Sequence, residues 1–192
     1  MNTRAPLGRI VLTGFMCAGK TTVARALAAR LGCAMLDTDE AIVEREGRPV
    51  ASIIDADGEA RFRQLETDAL RDALQAGDAC VIALGGGAWT IEENRALVAS
   101  ARDCVAVWLD APFELCWRRI TKAAEEQTRP LAREREQARA LYTARRAAYE
   151  LAALRIETND ERSAEDTAAE IVSIIGRQKF SDEQEGREGE NT

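Results

Sequence analysis

The chain is 192 residues long, carries a formal net charge of -7 and is 46% hydrophobic. This length and composition suit one α/β domain with a full hydrophobic core. The acidic balance argues against nucleic acid as a partner, and no apolar run approaches the roughly 18 residues that would predict a membrane span. The sequence contains no histidine, which excludes histidine-based catalysis and histidine metal ligands.

The cysteine pattern and the N-terminus predict a cytoplasmic protein. Residues 1–8 are polar and lack the apolar stretch of a signal peptide. The five cysteines are scattered without a C-x-x-C motif, which predicts free thiols in a reducing compartment. They are Cys17, Cys33, Cys80, Cys104 and Cys116, of which Cys33, Cys80 and Cys104 lie in apolar surroundings typical of a core.

A glycine-rich stretch, residues 14–21, fits the phosphate-loop pattern G-x-x-x-x-G-K-[ST]. It lies between a predicted buried strand, 9–13, and a predicted helix, 22–31, which favours a functional loop over a chance match. Backbone N–H groups at a helix N-terminus face a bound phosphate. A lysine here can bridge the β- and γ-phosphates, and the following threonine can bind Mg²⁺. The predicted ATP-binding residues are Cys17, Ala18, Gly19, Lys20, Thr21 and Thr22.

Two aspartates, Asp37 and Asp39, end the second predicted strand, 33–37. Ligands of parallel sheets collect at the carboxyl ends of strands. Beside a phosphate loop, this pair predicts one carboxylate directed to Mg²⁺ and one directed to a substrate hydroxyl. The alternative is a polar strand end in which Asp39 caps the helix predicted over 40–46.

Arg63 and Glu66 lie three residues apart on the helix predicted from about 59 to 76. At this spacing Glu66 can hold the arginine in place, although most such pairs are solvated surface pairs. The predicted strand 79–84 then runs into the glycine triplet 85–87. Three glycines at the carboxyl end of a strand suggest close approach of a ligand to the main chain.

The second half continues the α/β pattern, with predicted strands at 104–109 and 154–158 and a closing amphipathic helix at 163–175. Residues 123–137 are polar and highly charged, which indicates either a solvated helix surface or a mobile lid that carries arginines to a nucleotide. We expect residues 1–176 to form a single domain, and residues 177–192 to form a disordered tail.

Taken together, these motifs resemble the shikimate kinase family from about residue 9 to residue 175. The landmarks occur in order: the phosphate loop, Asp37-Thr38-Asp39, Arg63 with Glu66, the glycine triplet, Arg129-Pro130-Leu131, Arg145 before Tyr149, and Arg162. The resemblance implies a three-layer P-loop kinase fold with a five-stranded parallel sheet of order 2-3-1-4-5. It also implies transfer of the γ-phosphoryl group of ATP to the 3-hydroxyl of shikimate, on the pathway to chorismate.

The same resemblance implies a role for each matching residue. Lys20 and Thr21 would hold the phosphates and Mg²⁺, and Asp37 would reach the metal. The acceptor would meet Asp39 at its hydroxyls, Arg63 and Arg145 at its carboxylate, and Gly86 through the backbone. Arg129 would carry positive charge to the transferred phosphoryl group, and Arg162 would lie near the adenine. The resemblance implies a monomer that binds ATP and shikimate.

Several positions depart from the usual family pattern: Cys17 in the loop, Ile54 in place of an aromatic residue, Lys122 in place of an arginine, Trp89 after the glycine triplet, and a short lid. None of them removes a catalytic group. Two rival interpretations remain at this stage. One is a kinase of the same fold acting on another polyol acid such as gluconate, and the other is a nucleotide-binding module without catalysis.

Overall fold

The computed structural model describes residues 8–76, 79–124 and 135–189, and its centre is a five-stranded parallel sheet of order β2-β3-β1-β4-β5. The strands are β1 Arg9–Thr13, β2 Ala34–Asp37, β3 Ala79–Ala83, β4 Cys104–Asp110 and β5 Leu154–Glu157. The helices are α1 Lys20–Leu31, α2 Thr38–Glu46, α3 Val50–Asp57, α4 Glu59–Ala76, α5 Glu92–Ser100, α6 Phe113–Ala124, α7 Arg135–Tyr149 and α8 Ala164–Gly189, with a 3-10 helix at Ala88–Thr90. The predicted fold class and strand order are confirmed.

The sheet is covered on both faces because its central strands are apolar throughout. Along β1, Val11 belongs to one hydrophobic cluster, whereas Ile10 and Leu12 belong to the cluster on the opposite face. This alternation follows from the two-residue period of a strand. A third cluster packs α2, α3 and α4 together and contains Ile42, Ile53, Phe62, Leu65 and Ala69. These three helices follow β2, so they stand at the edge of the sheet.

Two cysteines depart from the prediction of free thiols, because the structure joins Cys33 and Cys80 in a disulfide with a Cα–Cα distance of 6.1 Å. The prediction is wrong for this pair. Cys33 immediately precedes the edge strand β2, and Cys80 lies on the neighbouring strand β3. The strand register passes from Ala79 to Val81 and omits Cys80 at an irregularity, so the pairing of the strands brings the two sulfur atoms together.

The last helix also differs from the sequence prediction. Up to residue 178, where its side chains are described, the last buried position is Ile175, as the apolar pattern predicts, but the helix itself continues to Gly189. Residues 177–189 were predicted to be part of a disordered tail, and glutamine, lysine, arginine and glutamate in this stretch are good helix formers. Among the helices of the described ranges, none is long and apolar enough to cross a membrane.

Candidate active site

The phosphate loop connects β1 to α1 through backbone conformations that demand glycine. Gly14 has a φ of 138° and Gly19 a φ of 101°, values that residues with side chains rarely adopt. A Cβ atom at Gly14 would also lie 2.6 Å from the carbonyl oxygen of Leu109. Helix α1 begins at Lys20, two residues before the predicted start. The loop therefore ends directly at a helix N-terminus, where free N–H groups favour an anion.

Lys20 lies inside the loop and is only 8% exposed. Its Nζ donates hydrogen bonds of 3.0 Å to the carbonyl oxygens of Gly14 and Phe15. Burial lowers the pKa of Lys20, while the negative charges of Asp39 and Asp37 oppose that change. The ammonium group is thus enclosed by the loop and attracted by the two carboxylates that follow β2.

Asp37 connects the end of β2 to the phosphate loop and to α2. Its Oδ2 accepts a 2.6 Å hydrogen bond from the Thr21 hydroxyl. Its Oδ1 accepts bonds from the backbone N–H groups of Asp39 and Glu40, at 2.9 and 3.3 Å. Asp37 is therefore the N-cap of α2, and the alternative in which Asp39 caps that helix is wrong. The helix begins at Thr38, two residues earlier than predicted.

The oxygen atoms of Thr21 and Asp37 are suitable ligands for a magnesium ion. The Thr21 hydroxyl and the Asp37 carboxylate are both oxygen ligands, they lie in contact, and both line the same cavity. Mg²⁺ prefers oxygen ligands and is usually held by one or two protein groups together with substrate phosphates. Within the described ranges no group of three or more acidic or cysteine side chains could hold a metal.

The phosphate loop lines a cavity of about 570 Å³, here called the nucleotide cavity, together with most of the other predicted nucleotide-binding residues. Its lining includes Cys17, Ala18, Gly19, Lys20, Thr21, Thr22, Asp37, Asp39, Gly86 and Arg162. Arg162 also donates a 3.1 Å bond to the carbonyl of Glu157, at the end of β5. Asp39 and Gly86, two of the four residues predicted to bind the acceptor, thus line the same cavity as the predicted nucleotide residues, whereas Arg63 and Arg145 are not part of its described lining.

On the acceptor side, Arg63 is held between two carboxylates of its own helix, α4. It forms ion pairs with Glu59, at 2.6 Å, and with Glu66. The Glu66 side chain is fully buried and that of Arg63 is 19% exposed, so the pair is not a solvated surface pair. Burial raises the pKa of Glu66 to about 7, against the opposing charge of Arg63.

The glycine triplet has no room for side chains, although the close neighbours are protein atoms. A Cβ at Gly85 would lie 2.1 Å from Glu66 Oε1 and 2.7 Å from Asp39 Oδ1. A Cβ at Gly87 would lie 2.5 Å from Arg63 Nη1. The triplet therefore lets Asp39, Glu66 and Arg63 gather against the main chain. The close approach predicted for a ligand is made here by these side chains.

Arg145, on α7, completes this side of the site. It is 8% exposed, and its Nη1 donates a 3.2 Å bond to the carbonyl oxygen of Gly86. The charge of Arg145 also lowers the pKa of Glu66, a smaller effect than that of burial or of Arg63. The two predicted carboxylate-binding arginines thus approach the same buried glutamate from different helices.

Comparison with known proteins identifies the family. The model of the shikimate kinase family matches residues 16–176. The chain belongs to the shikimate kinase family. It is 37% identical over 173 residues to the shikimate kinase of Ruegeria pomeroyi, covering 88% of this chain and 86% of that protein. It is 42% identical over 169 residues to that of Geobacter sulfurreducens, covering 86% and 90%.

Solved structures agree with this assignment to the shikimate kinase family. The shikimate kinase of Acinetobacter baumannii in complex with shikimate has a TM-score of 0.82 and 35% identity, covering 91% of this chain and 96% of that chain. A gluconokinase from Sinorhizobium meliloti has a TM-score of 0.55 and 15% identity, covering 91% and 97%. Likeness at that low identity reflects the fold that these kinases share.

One residue of this shikimate kinase site was missed by the sequence analysis. Arg119, on α6, lines the nucleotide cavity and its Nη1 donates a 3.3 Å bond to the carbonyl oxygen of Cys17 in the loop. A Cβ at Gly19 would lie 3.5 Å from the same nitrogen. Its neighbour Arg118 points away and pairs with Asp160. The sequence contains adjacent arginines here, and only the orientation of α6 distinguishes them.

The remaining predictions have mixed outcomes. Arg129 and most of the predicted lid, residues 125–134, lie outside the described residues.

Of the positions that depart from the family pattern, Trp89 is 3% exposed and belongs to a hydrophobic core cluster. Ile54 is half-buried against the cluster of α2 to α4, and Lys122 is exposed on α6.

Proposed function

We propose that this member of the shikimate kinase family transfers the γ-phosphoryl group of ATP to the 3-hydroxyl of shikimate, yielding ADP and shikimate 3-phosphate. The observation that carries the proposal is the position of Gly86. This residue lines the cavity of the phosphate loop and also accepts the hydrogen bond of Arg145. The nucleotide and an anionic acceptor would therefore lie on the two sides of one peptide.

On the nucleotide side, the phosphates would lie at the N-terminus of α1. Lys20 would exchange its bonds to Gly14 and Phe15 for phosphate oxygens, because an ammonium group is better matched by a phosphate than by carbonyls. Bound Mg²⁺, held through Thr21 and Asp37, supplies positive charge to the phosphate oxygens. Arg119 and Arg162 line the same cavity and would lie beside the bound nucleotide. Arg129, outside the described residues, is assigned to the transferred phosphoryl group by family resemblance.

On the acceptor side, Arg63 and Arg145 would bind the carboxylate of shikimate through charge-assisted hydrogen bonds. Asp39 would accept the hydrogen of the reacting hydroxyl. The hydroxyl oxygen then forms the new bond to the γ-phosphorus as the bond to the bridging oxygen of ADP breaks. The hydroxyl proton passes to Asp39 and then to solvent. Positioning of this kind is the main protein contribution to phosphoryl transfer.

A coupled assay of ADP release with ATP, Mg²⁺ and a panel of polyol acids tests the proposal. We expect turnover with shikimate and little with gluconate or quinate. If kcat/KM is higher for gluconate than for shikimate, gluconate is the preferred acceptor and the proposal is wrong about the substrate. Binding of ATP without turnover on any member of the panel would indicate a nucleotide-binding module. The monomeric state and the cytoplasmic location are part of the proposal, and light scattering and cell fractionation test them.

A further inference from the structure

The carbonyl oxygen of Gly86 accepts two hydrogen bonds from one face of α7. The Tyr149 hydroxyl donates at 2.5 Å and Arg145 Nη1 donates at 3.2 Å. The two donors are four residues apart, so they lie one above the other on the helix. Tyr149 is 1% exposed and Arg145 is 8% exposed. One backbone oxygen thus fixes the position of a buried phenol and of a predicted substrate-binding guanidinium.

The backbone around Gly86 is also confined by the phosphate loop and by Thr38. A Cβ at this residue would lie 3.0 Å from the backbone nitrogen of Met16, in the phosphate loop. The preceding residue, Gly85, donates its N–H to the hydroxyl of Thr38 at 3.0 Å. Because glycine peptides rotate easily, these contacts and the bonds from α7 decide which way the Gly86 backbone faces.

Tyr149 is suited to hold this carbonyl and unsuited to chemistry. Burial raises the pKa of its hydroxyl to about 12, while the nearby Arg145 opposes that change. The hydroxyl therefore stays protonated and remains a donor throughout the working range of pH. Its ring packs against Trp108 with 6.0 Å between centroids. At 1% exposure the side chain lies beneath the site wall and out of reach of a substrate.

We infer that Tyr149 is a positioning residue for the acceptor, acting through the Gly86 carbonyl on the Gly86 backbone and on the Arg145 guanidinium that shares it. The inference rests on the proposed function, in which Gly86 and Arg145 bind shikimate. Gly86 and Arg145 would contact shikimate away from the transferred phosphoryl group. Their contacts should therefore contribute the same binding free energy in the ground state and in the transition state. Loss of such uniform binding raises KM and leaves kcat nearly unchanged.

The test is the variant Tyr149→Phe, which keeps the ring and removes one hydroxyl. We expect KM for shikimate to rise roughly three- to tenfold, the effect of one hydrogen bond, with kcat and KM for ATP within about twofold of wild type. Tyr142→Phe is the matched control, because its hydroxyl donates to Ala111 at 3.0 Å, away from Gly86. Circular dichroism melts fix an assay temperature at which all variants are folded.

A double-mutant cycle separates positioning from general stability. If Tyr149 acts through the shared carbonyl, the effects of Tyr149→Phe and Arg145→Lys on KM for shikimate should be less than additive. Additive effects, an unchanged KM in Tyr149→Phe, or a parallel rise in KM for ATP would each overturn the inference while wild-type turnover on shikimate upholds the proposed function. A wild type that is inert on shikimate would overturn the proposed function and the inference together.

Discussion

Arg63 forms an ion pair with Glu66, whose side chain is fully buried beneath it. Burial raises the pKa of Glu66 to about 7, the charge of Arg63 opposes this rise, and the nearby Asp39 adds to it. The carboxylate also occupies the space that a Cβ at Gly85 would need. Glu66 is thus a buried titratable group that holds Arg63 in place on the acceptor side of the site.

We expect this carboxyl to make stability depend on pH. In the folded protein Glu66 is protonated below about pH 7 and is the charged partner of Arg63 above that pH, whereas the unfolded chain loses the proton near pH 4.5. The folded state binds more protons in this window, so the contribution of Glu66 to the free energy of unfolding falls as pH rises. The glutamine of Glu66→Gln cannot titrate. The free energy of unfolding of this variant minus that of wild type should therefore increase by about 2–3 kcal/mol between about pH 5 and pH 8.

Urea unfolding of both proteins across this range measures the difference. Glu93→Gln is the control, because Glu93 is an exposed partner of Arg71 on the surface, with its side chain 59% exposed. A difference between wild type and Glu66→Gln that stays constant with pH would show that Glu66 titrates alike in the folded and unfolded states.

Replacement of Lys20 tests the phosphate loop. Lys20→Ala should lower kcat by at least about a hundredfold, since transition-state contacts of this kind are worth on the order of 3 kcal/mol or more. The fold should persist, because Lys20 belongs to none of the three hydrophobic clusters of the described residues. Lys122→Ala, an exposed lysine on α6, should keep wild-type kcat. Near-normal turnover in Lys20→Ala would place the transferred phosphate elsewhere.

Arg63→Ala and Arg145→Ala should weaken binding of the acceptor and spare ATP. Each variant loses a charge-assisted hydrogen bond to the carboxylate, which costs roughly 1.5–3 kcal/mol. Titration calorimetry with shikimate and, separately, with ATP measures the two affinities. Arg61→Ala is the control, since Arg61 is exposed on the same helix, α4. An equal loss of affinity for both ligands would assign these arginines a structural role.

Asp39→Asn and Asp37→Asn should differ in their dependence on Mg²⁺. Asp39→Asn removes the base proposed for the hydroxyl proton, so kcat should fall strongly with little change in the Mg²⁺ requirement. Asp37→Asn should raise the Mg²⁺ concentration for half-maximal rate. Its stability should change little, because Asp37 caps α2 and asparagine is about as good an N-cap as aspartate. The rate is measured as a function of Mg²⁺ concentration for both variants. A changed Mg²⁺ requirement in Asp39→Asn but not in Asp37→Asn would show that the two roles are reversed.

The disulfide between Cys33 and Cys80 should stabilise the oxidised protein. The bridge spans 47 residues, for which the chain-entropy model predicts about 4 kcal/mol. Cys33→Ser should therefore unfold at lower urea than oxidised wild type, and a thiol reductant should abolish the difference. Cys104→Ser, which removes a free half-buried thiol, is the control. Complete alkylation of both cysteines in the unreduced folded protein would contradict the bridge.

Features of the fold and the site that depend on a few consecutive residues follow from the sequence, whereas those that depend on the packing of distant segments do not. The phosphate loop was identifiable because its glycines and Lys20 act within a few consecutive residues. The bridge between Cys33 and Cys80 was missed because it depends on how β2 pairs with β3, which a sequence pattern does not contain. Arg119 was missed for a related reason, since the rotation of α6 selects it over Arg118. The start of α2 was predicted two residues too late, within the usual uncertainty of element boundaries.

The shared carbonyl of Gly86 has a consequence for protein engineering. Segment 34–87 contains β2, β3 and the helices that carry Asp39 and Arg63, which makes it a natural unit to exchange between relatives to alter acceptor choice. Its last residues, however, are held by Tyr149 and Arg145 of α7, far along the chain. A chimaera that imports this segment must import α7 with it, because recombination breakpoints placed only by sequence position would separate the two halves of the acceptor pocket.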